Sequence, residues 1–125
     1  MDKNSVLIID DDKVNIITLT HILSDEYTVY GAKSGRDGIK LAEKYLPDVI
    51  ILDILLPKMN GYEVFSVLKD SAKTRRIPVI FITGLSKPGY EEKGLALGAA
   101  DYIIKPFSPD VVKLRIRNQI DVQLA

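Results

Sequence analysis

Three acids in a row, Asp10-Asp11-Asp12, follow the apolar run Val6-Leu7-Ile8-Ile9, and a single acid, Asp53, follows Val49-Ile50-Ile51-Leu52. Thr83 follows Val79-Ile80-Phe81-Ile82, and Lys105-Pro106 follows Tyr102-Ile103-Ile104. Carboxylates, a hydroxyl and an ammonium are the groups that phosphoryl transfer requires. Two unit negative charges ~4 Å apart repel by about 4 kcal/mol at an effective dielectric near 20. Gathered carboxylates therefore need a cation, a lysine or a raised pKa. Hard oxygen ligands suit Mg²⁺, which takes one or two carboxylates and recruits phosphate oxygens. An aspartate can also accept a phosphoryl group as an acyl phosphate. Such a transfer rests mainly on positioning and charge neutralisation. Asp53 is accordingly the candidate nucleophile. Asp10, Asp11 and Asp53 are the candidate metal ligands, Lys105 is a second cation, and Thr83 offers a hydroxyl to a phosphoryl oxygen. Singly, an Asp after a strand is often a helix N-cap, and a Thr in a strand is usually a strand former. Their joint placement favours the chemistry.

These residues can act together only if the fold gathers them. Apolar runs alternate with longer helical patterns, which marks βαβ units and a mostly parallel sheet. Strands are expected at Val6–Ile9, Thr28–Ala32, Val49–Leu52, Val79–Ile82 and Tyr102–Ile104. The first, third and fourth are almost wholly apolar, as central strands covered on both faces should be. Thr28-Val29-Tyr30 is mixed, as an edge strand would be. In an open parallel sheet ligands bind beyond the carboxyl ends of the strands, where all the candidate residues fall.

Helices are expected at Val14–Ser24, at Gly35–Tyr45 before Pro47, from after Gly61, at Glu91–Leu97 with Gly98 as a left-handed cap, and from Ser108-Pro109-Asp110 onward. The last opens on a hydroxyl, a proline at the first helical position and an acid in the first turn. Val112, Ile116, Ile120 and Leu124 recur every four residues and no stop signal follows. A helix fraying at a terminus and a piece of a longer protein are equal expectations. The only histidine, His21, falls off the apolar face of the first helix and is expected at the surface.

The 125 residues suffice for one domain, expected over 1–125, with a real core. An apolar share of 46% with 27% charged residues is a globular composition, not a disordered one. Lys plus Arg and Asp plus Glu number 17 each, so no basic excess draws the chain to nucleic acid. The absence of Cys excludes a disulfide framework and a thiolate metal site. Five residues before the first strand leave no room for a signal peptide, and no apolar run approaches the ~20 residues of a membrane span. A cytoplasmic protein is expected.

The sequence resembles the receiver domains of two-component response regulators, from about Ser5 to Leu124. The resemblance is carried by Leu7-Ile8-Ile9-Asp10-Asp11-Asp12, Asp53-Ile54-Leu55-Leu56-Pro57-Lys58-Met59-Asn60-Gly61, Ile82-Thr83-Gly84 and Lys105-Pro106-Phe107. It implies a single three-layer (βα)5 flavodoxin-like α/β domain with a five-stranded parallel sheet of order 2-1-3-4-5. It implies phosphoryl transfer to Asp53 from a histidine kinase or phosphotransfer protein. By similarity Asp10, Asp11, Asp53 and the Leu55 backbone carbonyl hold Mg²⁺, with Mn²⁺ able to substitute. Thr83 and Lys105 contact the phosphoryl group, and Tyr102 is the switch aromatic. The Lys105–Pro106 bond is often cis in such domains. The implied output is a change in the surface of the fourth helix, fifth strand and fifth helix, which binds a partner, an output domain or a second copy.

Asn60 stands where many members have Asp, and serves a turn equally well. Leu55 and Leu85, two residues beyond Asp53 and Thr83, offer no polar group to orient water. A slow loss of the phosphoryl group is expected. Two other functions compete. An interaction module that works without phosphorylation conflicts with the intact Asp10, Asp11, Asp53, Thr83 and Lys105. A magnesium-dependent phosphohydrolase needs an acid two residues after its nucleophile, where this chain has Leu55. A signalling module rather than a conventional enzyme is expected.

Overall fold

The computed structural model describes residues 3–84, 93 and 96–124. Five strands form one parallel sheet: β1 (Ser5–Ile9), β2 (Thr28–Ala32), β3 (Val49–Asp53), β4 (Val79–Thr83) and β5 (Asp101–Ile104). Their order is β2-β1-β3-β4-β5, as the resemblance implied. Central β1 and β3 are the apolar runs, and mixed β2 takes an edge. The register sets Ile9 beside Leu52, Asp53 beside Ile82 and Thr83 beside Ile104. The carboxyl ends of the strands are thereby aligned.

Alternation along the strands divides the core into two layers. Leu7, Ile9, Ile50, Leu52 and Phe81 face one way. They pack against Ala42 of α2 (Gly35–Tyr45) and against Val64, Phe65 and Leu68 of α3 (Gly61–Asp70). Val6, Ile8, Val49, Ile51, Ile80, Ile82 and Ile103 face the other way. Leu19 and Leu23 of α1 (Lys13–Leu23) cover them, with Val112, Ile116 and Ile120 of α4 (Pro109–Leu124). Each fully buried side chain of this kind contributes about 1.5–3 kcal/mol. Two buried faces explain why the central strands carry no polar residue until their ends.

Helix ends follow local chemistry. The Asp12 side chain accepts from the Val14 N–H and starts α1. Asn60 and Glu63 form a reciprocal capping box at α3. Ser108 accepts the first helical bond of α4 from Val112 through its carbonyl, at 3.0 Å. Leu46 closes α2 in the left-handed region, with φ 48°, before Pro47. The expected fourth helix lies mostly outside the described residues. Lys93 and Ala96 within it are helical, and Gly98 follows with φ 102°, a conformation that favours glycine. The Leu97 N–H donates to the Lys93 carbonyl at 3.1 Å.

Gly61 serves a different need. A methyl group there would lie 2.5 Å from the Asp53 carbonyl oxygen and 2.7 Å from Ile54 Cα. Only a residue without a side chain lets α3 start this close to the end of β3, where its N–H donates to the Ile54 carbonyl at 2.8 Å.

Candidate functional site

The sheet ladder continues past the strands and fixes the site. The Asp10 N–H donates to the Ala32 carbonyl at 3.0 Å, the Ile54 N–H to the Ile82 carbonyl at 3.2 Å, and the Lys105 N–H to the Thr83 carbonyl at 2.8 Å. Asp10 and Lys105 are thus held as extensions of β1 and β5, and Asp53 as the last residue of β3. The Lys105–Pro106 bond is cis.

From this frame Lys105 reaches back across the sheet end. Its Nζ lies 2.8 Å from Asp53 Oδ2 and 3.0 Å from Asp10 Oδ2. The remaining carboxylate oxygens are also satisfied. Asp53 Oδ1 accepts from the Leu55 N–H at 2.9 Å, and Asp10 Oδ1 from the Asp12 N–H at 2.9 Å. Asn15 Nδ2 donates to Asp10 Oδ2 at 3.3 Å. Asp10 and Asp53 are buried, and a buried charge is tolerated when it is paired and hydrogen-bonded.

Asp11 is exposed beside them. One oxygen from each of Asp10, Asp11 and Asp53 lies within 4.8 Å of the others. Three carboxylates meet one ammonium, so negative charge remains in excess. The all-oxygen donor set fits a hard divalent cation.

The ionisation follows from that excess. Burial pushes the Asp53 carboxyl above its ordinary value, aided by the charge of Asp10, and together these outweigh the hydrogen bonds from Lys105 and Leu55. Burial alone would lower Lys105. Its hydrogen bonds to Asp53 and Asp10, with their charges, more than reverse this and raise it. Lys105 is therefore a persistent ammonium.

Thr83 is fully buried at the end of β4. Tyr102 is buried in the layer that includes Phe81, its register partner. Leu55 is 52% exposed at the mouth of the site, and Leu85 lies outside the described residues. His21 is exposed, as its helical phase required. On α4, Arg115 pairs with Asp101 and Arg117 with Glu26, both at 3.3 Å.

Asn15 is the residue that sequence reasoning missed. Its one signal is position, five residues after Asp10 and in the first turn of α1. Asp12 is the acid of the run that acts as a plain helix cap.

The sequence matches the response regulator receiver domain family over residues 6–117. The chain belongs to this family. Receiver domains bind a divalent metal at an acidic pocket of the kind formed by Asp10, Asp11 and Asp53. This receiver domain is 39% identical over 116 residues to a probable cyclic di-GMP phosphodiesterase of Vibrio cholerae, covering 93% of the chain and 26% of that protein. It is 37% identical over 120 residues to histidine kinase P4 of Formosa agariphila, covering 96% of the chain and 9% of that protein. Among solved structures, a response regulator from Chloroflexus aurantiacus superposes with a TM-score of 0.90 at 30% identity, covering 96% of this chain and 99% of that one. The chain spans 9% to 48% of the length of such curated relatives. The receiver domain is a signalling domain, a phosphoacceptor of two-component systems. The reading without phosphorylation is not favoured.

Proposed function

We propose that Asp53 is the phosphoacceptor, taking its phosphoryl group from a histidine kinase or phosphotransfer protein. The observation that supports this most is the Lys105 ammonium bridging buried Asp10 and Asp53. An Asp53 carboxylate oxygen attacks phosphorus. The new O–P bond forms as the donor's bond to phosphorus breaks, and the donor leaves with that electron pair. Asp10, Asp11, Asp53 and the Leu55 carbonyl would hold Mg²⁺, and Mn²⁺ could substitute. When bound, the metal neutralises charge on the phosphoryl oxygens. Lys105 turns toward the same oxygens, and the buried Thr83 hydroxyl donates to one of them.

Phosphorylation replaces a carboxylate with a group of higher charge and strong acceptor oxygens. Movement of Thr83 and Lys105 biases the position of Tyr102, whose ring already occupies the core in this structure. The surface of β5, α4 and the preceding helix then shifts between two populations, as far as the phosphoryl contacts favour one. That surface is the proposed site for an output partner or a second copy. A cytoplasmic location is part of this proposal; the charge balance supports a role without direct nucleic-acid binding, and no described helix is long and apolar enough to cross a membrane.

The test is incubation with acetyl phosphate, with and without Mg²⁺, read by intact mass. One added phosphoryl group that requires Mg²⁺ and disappears in Asp53→Ala is the expected result. No gain from acetyl phosphate or from a phosphorylated kinase would overturn the proposal.

A further inference from the structure

Asp10 and Asp53 share one cation, and phosphorylation must disturb that sharing. Asp10 is buried, so a donor that it loses is costly unless another takes its place. Its Oδ2 accepts from both Lys105 Nζ at 3.0 Å and Asn15 Nδ2 at 3.3 Å. Its Oδ1 accepts from the Asp12 N–H. Asn15 thus duplicates, on the same oxygen, the contact that Lys105 makes. Asn15 and Lys105 also line one cavity of about 420 Å³ with Pro106 and Phe107.

We infer that Asn15 is a positioning residue for phosphoryl uptake: it keeps a hydrogen bond on Asp10 Oδ2 while Lys105 turns to the incoming phosphoryl oxygens. The inference rests on Asp53 being the acceptor. With acetyl phosphate the Asp53 oxygen gains a bond to phosphorus, the phosphorus–oxygen bond to acetate breaks, and acetate leaves with the electron pair. No proton is consumed by this exchange. As charge gathers on the transferring oxygens, Lys105 is drawn from Asp10. With Asn15 present, Asp10 keeps a side-chain donor. Without it, a buried carboxylate oxygen loses both, and Asp10 competes harder for the ammonium.

The role concerns the moment of transfer, so the maximal rate should respond rather than the donor concentration needed for half of it. Asn15→Ala should lower the maximal rate of acetyl phosphate uptake about tenfold, the lower end of the effect of one hydrogen bond to a charged group. Asn15→Gln, with a carboxamide on a longer stem, should recover part of that loss. In the unsubstituted protein, the Asn15 side-chain amide proton should move downfield in a ¹H–¹⁵N spectrum on phosphorylation, as Nδ2 becomes the main side-chain donor to Oδ2. An unchanged maximal rate in Asn15→Ala, an equal loss in Asn15→Gln, or an unmoved amide signal would each overturn the inference. Failure of the unsubstituted protein to gain mass, or a gain surviving in Asp53→Ala, would instead remove the acceptor assignment beneath it.

Discussion

Replacing Lys105 by Met removes the ammonium while keeping most of its apolar stem. At contacts of 2.8 and 3.0 Å, each charge pair is worth about 5–6 kcal/mol before desolvation, at an effective dielectric near 20. Returning the ammonium to water cancels much of this. Two carboxylates, with side chains only 1% and 6% exposed, would remain without their cation. Removing one partner of a buried pair typically costs about 3–5 kcal/mol. Lys105 itself is 20% exposed, which places its loss near the lower end, at about 3 kcal/mol. Urea denaturation without metal should show this as a midpoint fall of roughly 1–3 M, for the usual dependence on denaturant. A divalent cation that binds the folded state stabilises it by mass action. In Lys105→Met that cation meets the acids without a competing ammonium. Saturating Mg²⁺ should therefore stabilise the variant more than the parent and narrow the gap between them. A metal-free loss below about 1 kcal/mol, or a gap that Mg²⁺ leaves unchanged or widens, would refute the electrostatic account.

Two further predictions concern Asp53 and the mouth of the site. Because the folded Asp53 carboxyl is raised, the folded state holds its proton more tightly than the unfolded chain does. Its contribution to stability is full below the ordinary carboxyl value near 4 and is lost as pH rises through the raised folded value. Metal-free Asp53→Asn lacks that loss, so its stability relative to the parent should improve from about pH 4 toward pH 7; a relative stability that stays constant or falls over that range would contradict the burial argument. The exposed Leu55 side chain presents no group to orient water, so Leu55→Asn combined with Leu85→Glu should shorten the phosphoryl lifetime, by about the tenfold or more that general acid–base assistance supplies. The decay of the phosphorylated mass after donor removal measures this, and equal decay in variant and parent would dismiss the idea.

The strands were legible because Val and Ile runs at Val6–Ile9, Val49–Leu52 and Val79–Ile82 admit few alternatives when both faces are buried. Their ends were harder to place, since β3 and β4 each carry the ladder through the polar residue that follows, Asp53 and Thr83. The acid cluster was legible as composition at aligned ends. Which acids Lys105 binds was not, because that depends on side chains crossing between strands far apart in sequence. Asn15 was hidden for the same reason: an Asn in the first turn of a helix reads as an ordinary surface residue until its partner on β1 is known. The Asn60–Glu63 capping box is visible as N-x-x-E spacing, but an Asn before Gly suits a plain turn equally well. Tyr102 shows a different limit, since sequence places it on β5 but does not say whether its ring lies in or out.

The absence of a side chain at Gly61 has a mechanical consequence. The first turn of α3 rests directly on the backbone of Asp53, the proposed acceptor, and the Gly61 N–H clamps it to Ile54. The β3 terminus therefore has little slack for recoil when charge is added to Asp53. Lys105 and Thr83 are joined to each other through the Lys105 N–H and the Thr83 carbonyl. The clamp works as an anvil: on the proposed reading it resists displacement on the α3 side, which leaves β4 and β5 to take it up. A bulkier residue at position 61 would loosen that backing, and the same chemical event would transmit less movement to the far edge of the sheet.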